Sequence, residues 1–211
     1  MRMRKRKWVA PYLESEDRYL VRDLRKGRWL SESGCHALHL EIGMGMGDFL
    51  TGSASLFPDI LFVGLEKDAT CVAKAIRKAE ELGLQNLLVL NADAKDLCEY
   101  FAPQEVDRIY LQFSDPWPKK AHAKRRLTAP SFLELYQTIL KEEGELILKT
   151  DNAGLFEYSL LQLQDWHLEK ISVDLHREVQ EGPLTEYEKK FMAEGKPIYY
   201  ALCVNPVRNR V

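Results

Sequence analysis

The 211-residue sequence predicts an α/β fold: a doubly wound, mostly parallel sheet of about seven strands with helices on both faces. Short apolar runs alternate with segments of helical period through the centre of the chain. That order implies right-handed crossovers and a sheet covered on both sides. Polar residues or glycines stand directly after each of the first five apolar runs, where parallel sheets place their ligands. The composition is that of a globular chain, with 45% hydrophobic, 29% charged and 10% aromatic residues. No apolar run approaches the roughly 20 residues that cross a bilayer.

Residues 1–30 read as a basic N-terminal extension with an amphipathic helix around Arg18–Leu24, and residues 31–211 as the main domain. Leu38-His-Leu-Glu-Ile42 is the first strand, followed by a glycine cluster and a short helix from Phe49 to Phe57. Leu61–Leu65 is a buried strand ending at Glu66. From Asp68 to Leu82, Ala69, Val72, Ala73, Ile76 and Ala79 share one helical face, and Gly83 stops the helix. Leu87–Leu90 is a third strand before Asp93, Ile109–Phe113 a fourth and Glu145–Lys149 a fifth. Between the last two, Phe132, Leu135, Tyr136, Ile139 and Leu140 mark a helix closed by Gly144. A helix over Leu155–Leu163 and strands over Leu168–Leu175 and Ile198–Val204 complete the chain, and Trp8, Trp29 and Trp166 are read as packing residues.

Charge is unevenly placed. The chain carries a net −2, yet residues 1–28 hold ten Lys/Arg against four Asp/Glu, and Lys119–Arg126 hold five with no acid. An acidic body with two basic segments offers a polyanion a local site. The N-terminus, Met1 to Lys7, leads into no hydrophobic stretch and is not a secretory signal. Cys35, Cys71, Cys98 and Cys203 form no C-x-x-C pair, which argues for a reducing cytoplasm and against a zinc or disulfide framework. His36 and His39 fall on opposite faces of a strand, so no metal site is expected there.

Glu41-Ile-Gly-Met-Gly-Met-Gly47 sets Gly43, Gly45 and Gly47 between a strand and a helix, where residues without a Cβ let a ligand lie against the backbone. The spacing is G-x-G-x-G, not the dinucleotide G-x-G-x-x-G, and an acid, Asp48, follows. A carboxylate there repels phosphate and suits a cation, so S-adenosylmethionine is favoured over NAD. Glu66, 19 residues after Gly47, is placed to accept from both ribose hydroxyls, and Asp93 to hold the adenine amino group. Phe113-Ser-Asp-Pro-Trp-Pro-Lys-Lys120 is stiffened by two prolines and presents Asp115 and Trp117 at the pocket mouth, a carboxylate beside an aromatic plane.

Taken together, the glycine loop, Asp115-Pro-Trp-Pro-Lys119 with its basic tail, Thr150-Asp151 and Gly182-Pro-Leu-Thr-Glu-Tyr-Glu188 closely resemble the bacterial tRNA (guanine-N7-)-methyltransferase family, over nearly the whole chain. The resemblance implies a Rossmann-like methyltransferase domain and methylation of a guanine in the tRNA variable loop from S-adenosylmethionine. Glu41, Gly43, Gly45, Gly47, Glu66, Asp93 and Asp115 fall at the cofactor positions, with Asp115 also the catalytic candidate. Lys119, Asp151, Thr185, Glu186, Tyr187 and Glu188 fall at substrate positions. Lys120, Ala121, His122, Ala123, Lys124, Arg125 and Arg126 form the RNA-contacting segment, with alanines at 121 and 123 where relatives carry bulkier polar residues. A cytoplasmic monomer or homodimer without a membrane association is expected.

Three other readings are weaker. A methyltransferase for another RNA or a small amine leaves the basic segments, or their specific motifs, unused. A nicotinamide-dependent oxidoreductase conflicts with the glycine spacing. An RNA-binding module without catalysis would not require every strand end to carry a polar group.

Overall fold

A computed structural model of the chain describes residues 6–175 and 186–206. Its strands are β1 (Ala37–Ile42), β2 (Ile60–Leu65), β3 (Leu87–Leu90), β4 (Val106–Gln112), β5 (Leu140–Thr150), β6 (His167–Ser172) and β7 (Tyr199–Val204). Its helices are α1 (Val9–Ser15), α2 (Trp29–Ser33), α3 (Asp48–Leu56), α4 (Ala69–Glu81), α5 (Leu97–Tyr100), α6 (Pro130–Ile139), α7 (Ala153–Gln162) and α8 (Glu186–Ala193). The strands form one sheet in the order β3-β2-β1-β4-β5-β7-β6, and only β7 runs antiparallel to its neighbours. The expected doubly wound, mostly parallel sheet is therefore present. Winding proceeds outward from β1 through β2 and β3, then resumes from β4 through β5. The carboxyl ends of β1 and β4 thus flank the switch point where such sheets open a crevice.

Apolar alternation decides which helix covers which face. Leu38, Leu40 and Ile42 of β1 pack with Trp29, Leu97, Phe101, Leu133, Tyr136 and Phe156 on one side of the sheet. On the other, Phe62, Val89, Tyr110 and Ile147 pack with Phe49 and Leu50 of α3 and Val72 and Ile76 of α4. The α4 helix begins where Asp68 Oδ1 accepts from the Thr70 and Cys71 amides (2.8 and 3.3 Å), and it ends at Gly83, whose φ is +63°.

The helix expected around Arg18–Leu24 is replaced by extended chain. Val89 N donates to Tyr19 O (2.8 Å) and Val21 N to Val89 O (2.9 Å), so residues 19–21 run parallel to β3. The physical reason is the open edge of β3, whose unpaired amides and carbonyls outbid a short helix. The Tyr19 hydroxyl donates to Leu84 O (2.9 Å) and Ala79 O (3.2 Å), tying the segment to the end of α4. The helical turns of this region lie on either side, in α1 and α2. Trp29 and Trp166 are buried as expected, while Trp8 is half-buried with the Arg77 guanidinium 3.9 Å over its ring. Among the described residues no helix is long and apolar enough to cross a membrane.

His39 lies inside the sheet, its Nδ1 3.2 Å from the Tyr110 hydroxyl. Burial, aided by the Arg108 charge, pushes its pKa down to about 4. A depressed histidine is neutral in the folded chain and charges on unfolding, so stability is present above about pH 6.5 and drains away as pH falls toward 4. The full effect is roughly 3 kcal/mol. Melting temperatures from pH 7.5 to 4.5 should show that limb in the wild type and a shallower one in His39→Gln.

Candidate active site

The glycine loop leaves β1 in a left-handed path, with φ of +75° at Gly43, +55° at Gly45 and +76° at Gly47. Gly43 N and Met44 N donate to Leu65 O (2.8 and 3.3 Å), which sews the loop to the end of β2. A Cβ on Gly47 would stand 2.7 Å from Ala75 Cβ, so the start of α3 can lie against α4 only with glycine there.

Acids gather around this loop. Glu41, the penultimate residue of β1, is only 3% exposed, and its Oε2 has no hydrogen-bond partner. Burial, then the Asp48 and Glu66 charges, raise its pKa well above the ordinary carboxylate range, against one hydrogen bond from the Leu50 backbone. Glu66 follows β2 and is held in place by Gly45 N donating to Oε2 (3.3 Å) and Asp68 N to Oε1 (2.9 Å). Asp93 follows β3, exposed, and accepts from Lys95 N (3.1 Å). Asp48 differs from expectation: it is ion-paired with Lys78 of α4, so its charge is largely spent within the protein. The acidic character of the crevice rests on Glu41, Glu66, Asp93 and Asp115.

The loop after β4 is strained at two places, with φ of +49° at Phe113 and +41° at Trp117 flanking an exposed Asp115. Bulky residues adopt such angles only where the surroundings impose them. Arg126 does so, its Nε donating to Pro116 O (3.0 Å) and Nη2 to Trp117 O (3.1 Å). Its guanidinium also lies 4.3 Å over Tyr158. Arg126 thus braces the loop, a use that the basic run alone did not disclose. Lys120–Arg125 form a 3-10 turn that packs on Trp117: Arg125 sits 4.9 Å over the ring and His122 meets it edge-on at 5.6 Å. Lys119, Lys120, Ala121, Lys124 and Arg125 are exposed, whereas His122 and Ala123 are half-buried.

At the end of β5, Thr150 Oγ1 accepts from Asn152 N (3.1 Å), Asn152 caps α7 through Leu155 N (2.8 Å), and Asp151 is left exposed between them. Glu188 of α8 is 0% exposed and accepts from Lys149 of β5 (2.9 Å), itself 12% exposed. Thr185 lies outside the described residues, and Glu186 and Tyr187 open α8. Glu41, Glu66, Asp93, Asp115 and Asp151 therefore stand on the same edge of the sheet, one at each carboxyl end from β1 to β5. Two neighbours were missed in the sequence, Gln112 and Lys149. Each is a polar residue directly after an apolar run near the carboxyl end of its strand, Ile109–Leu111 and Leu146–Leu148, which is the signal that would have flagged them.

A family model described as "Putative methyltransferase" matches residues 36–201. A tRNA (guanine-N(7)-)-methyltransferase of Geobacillus kaustophilus (strain HTA426) is 45% identical over 214 residues, covering 99% of each chain. One from Limosilactobacillus reuteri (strain DSM 20016) is 46% identical over 206 residues, covering 94% of this chain and 97% of that one. Among solved structures, the 16S rRNA methyltransferase KamB superposes with a TM-score of 0.66 at 13% identity, covering 90% of this chain and 99% of that chain. An antibiotic-related methyltransferase gives 0.65 at 17% identity, covering 89% and 96%. These two share the fold. A strand-end rim of acids around a left-handed glycine loop, on a chain matched end to end by such relatives, places this protein in the tRNA (guanine-N(7)-)-methyltransferase family.

Proposed function

We propose that this chain transfers a methyl group from S-adenosylmethionine to N7 of a guanine in the tRNA variable loop, giving 7-methylguanosine, in the cytoplasm. The observation that carries the reading is the buried, unpartnered Oε2 of Glu41 beside the glycine loop, with Glu66 oriented by that same loop. A ligand that offers a hydrogen bond or a positive charge is what such an orphaned carboxyl asks for, and S-adenosylmethionine carries both. Glu41, Gly43, Gly45, Gly47, Glu66, Asp93 and Asp115 would hold the cosubstrate, which supplies a methyl carried on positive sulfur. Guanine N7 bears a lone pair and no proton, so the chain needs no general base. Its work is orientation, worth on the order of 7–11 kcal/mol of barrier, and stabilisation of charge arriving on the purine. Asp115 accepts from the amide and amino edge of the base, while Asp151 and Thr185–Tyr187 fix its other side, and the buried Glu188 holds α8 against β5 through Lys149. Residues 31–211 form the catalytic unit and the basic N-terminal 30 residues an arm for RNA. All these groups belong to one chain, so the reading holds for a monomer or a homodimer.

The direct test is methyl transfer to tRNA lacking the modification, with mapping of the product; transfer to any base other than a variable-loop guanine overturns it. Two further outcomes are expected. Burial and the neighbouring acids favour the protonated form of Glu41 and a bound cation favours its carboxylate, so cosubstrate binding is expected to release a proton and to tighten as pH rises. Calorimetry in buffers of different ionisation heat reads the proton, and Glu41→Gln should abolish it. The exposed Lys119, Lys120, Lys124 and Arg125 meet phosphates. The log–log salt slope for tRNA binding should then fall by about one for each of these changed to alanine.

A further inference from the structure

Glu41 has a companion. Gln112, the last residue of β4, is 7% exposed, and neither its Nε2 nor its Oε1 has a hydrogen-bond partner. Glu41 pairs in register with Tyr110, and strand alternation puts Gln112 on the same sheet face as Tyr110. Two unsatisfied polar side chains thus lie on one face of the two strands that flank the switch point. On its other side Gln112 is in register with Lys149, whose charge is occupied by Glu188. Asp115 is three residues further along the chain, past the left-handed Phe113.

A carboxamide in that position is costly to the fold. An aliphatic side chain would bury the same volume without leaving a donor and an acceptor unmet. The asymmetry points to a ligand that offers one acceptor and one donor side by side. A guanine presented to the crevice has that pair next to the reacting edge: O6 adjoins N7, and N1–H adjoins O6.

We infer that Gln112 contacts the target base, Nε2 donating to O6 and Oε1 accepting from N1–H, and so aims the N7 lone pair. The inference rests on the proposed transfer to guanine. It divides the amide and amino edge with Asp115, which keeps the 2-amino group. No bond is made or broken at Gln112. Its contribution is to hold the base at one angle, where misorientation would cost rate.

The test compares wild type with Gln112→Met and Gln112→Glu in single-turnover methyl transfer to unmodified tRNA, with cosubstrate binding by calorimetry and thermal melting alongside. The expected loss in kcat/KM for tRNA is about 10–100-fold for methionine, the loss of two neutral hydrogen bonds. Glutamate loses more, because a carboxylate oxygen faces O6. Cosubstrate affinity stays within about twofold, and the melting temperature of Gln112→Met is unchanged or higher, since the orphaned amide is gone. A purely structural amide would do the reverse, lowering the melting temperature with activity following it, and that result overturns the assignment. So does a loss confined to cosubstrate affinity, or full activity in Gln112→Met. A wild-type enzyme that methylates tRNA while the methionine variant matches it overturns Gln112 alone; a wild-type enzyme inactive on guanine overturns both readings.

Discussion

Changing Asp115 to alanine is expected to lower single-turnover methyl transfer by about 10²–10³-fold or more, the scale of removing one preorganised electrostatic group from a transition state. The same change should leave the melting temperature nearly untouched. Asp115 is exposed, and the loop that carries it is held by other groups: two prolines and the Arg126 guanidinium on the Pro116 and Trp117 carbonyls. Asp115→Asn keeps an acceptor without the charge and should fall between the two. This ordering separates electrostatics from shape. Near-normal turnover in the alanine variant would remove Asp115 from the chemistry.

The second large effect lies at the back of the site. Lys149→Met leaves Glu188 as a carboxylate inside the protein without its 2.9 Å cation. Breaking one side of a buried pair costs about 3–5 kcal/mol. In a chain of this size that corresponds to roughly 6–20 °C in melting temperature. Because α8 opens with Glu186 and Tyr187, the loss should also raise KM for tRNA more than KM for the cosubstrate. The double variant Lys149→Met/Glu188→Leu should recover part of the stability, since the buried carboxylate that lost this cation is gone, but not the tRNA affinity. A single variant that melts with the wild type would show that Lys149 does not anchor α8. Exposed pairs such as Arg28–Glu32 are expected to contribute far less, for water already screens them.

Glu188 shows how a motif can be read correctly and its members unevenly. Its placement in Gly182–Glu188 was legible, but a sequence does not distinguish a carboxylate that faces a ligand from one that faces a strand. The fold turns Glu188 inward onto β5. Arg126 is the same case with opposite sign. It ends a basic run that reads as phosphate-binding, and half-buried it spends its donors on the loop it follows. Asp48 reads in the sequence as a charge toward the ligand, but Lys78, 30 residues away, pairs with it.

What the chain's order of residues determined by itself was local and periodic. Apolar alternation set the strands, a helical stripe and Asp68 set α4, and glycines and prolines set the two loops, because each depends on neighbours a few positions away. The acids after the strands were visible for the same reason. Tertiary structure alone decided what each charge meets: that the edge of β3 draws residues 19–21 out of a helix, and that Gln112 and Glu41 end on one sheet face with atoms unmatched. Pairing and desolvation act between groups far apart in the chain, and only folding brings those groups together.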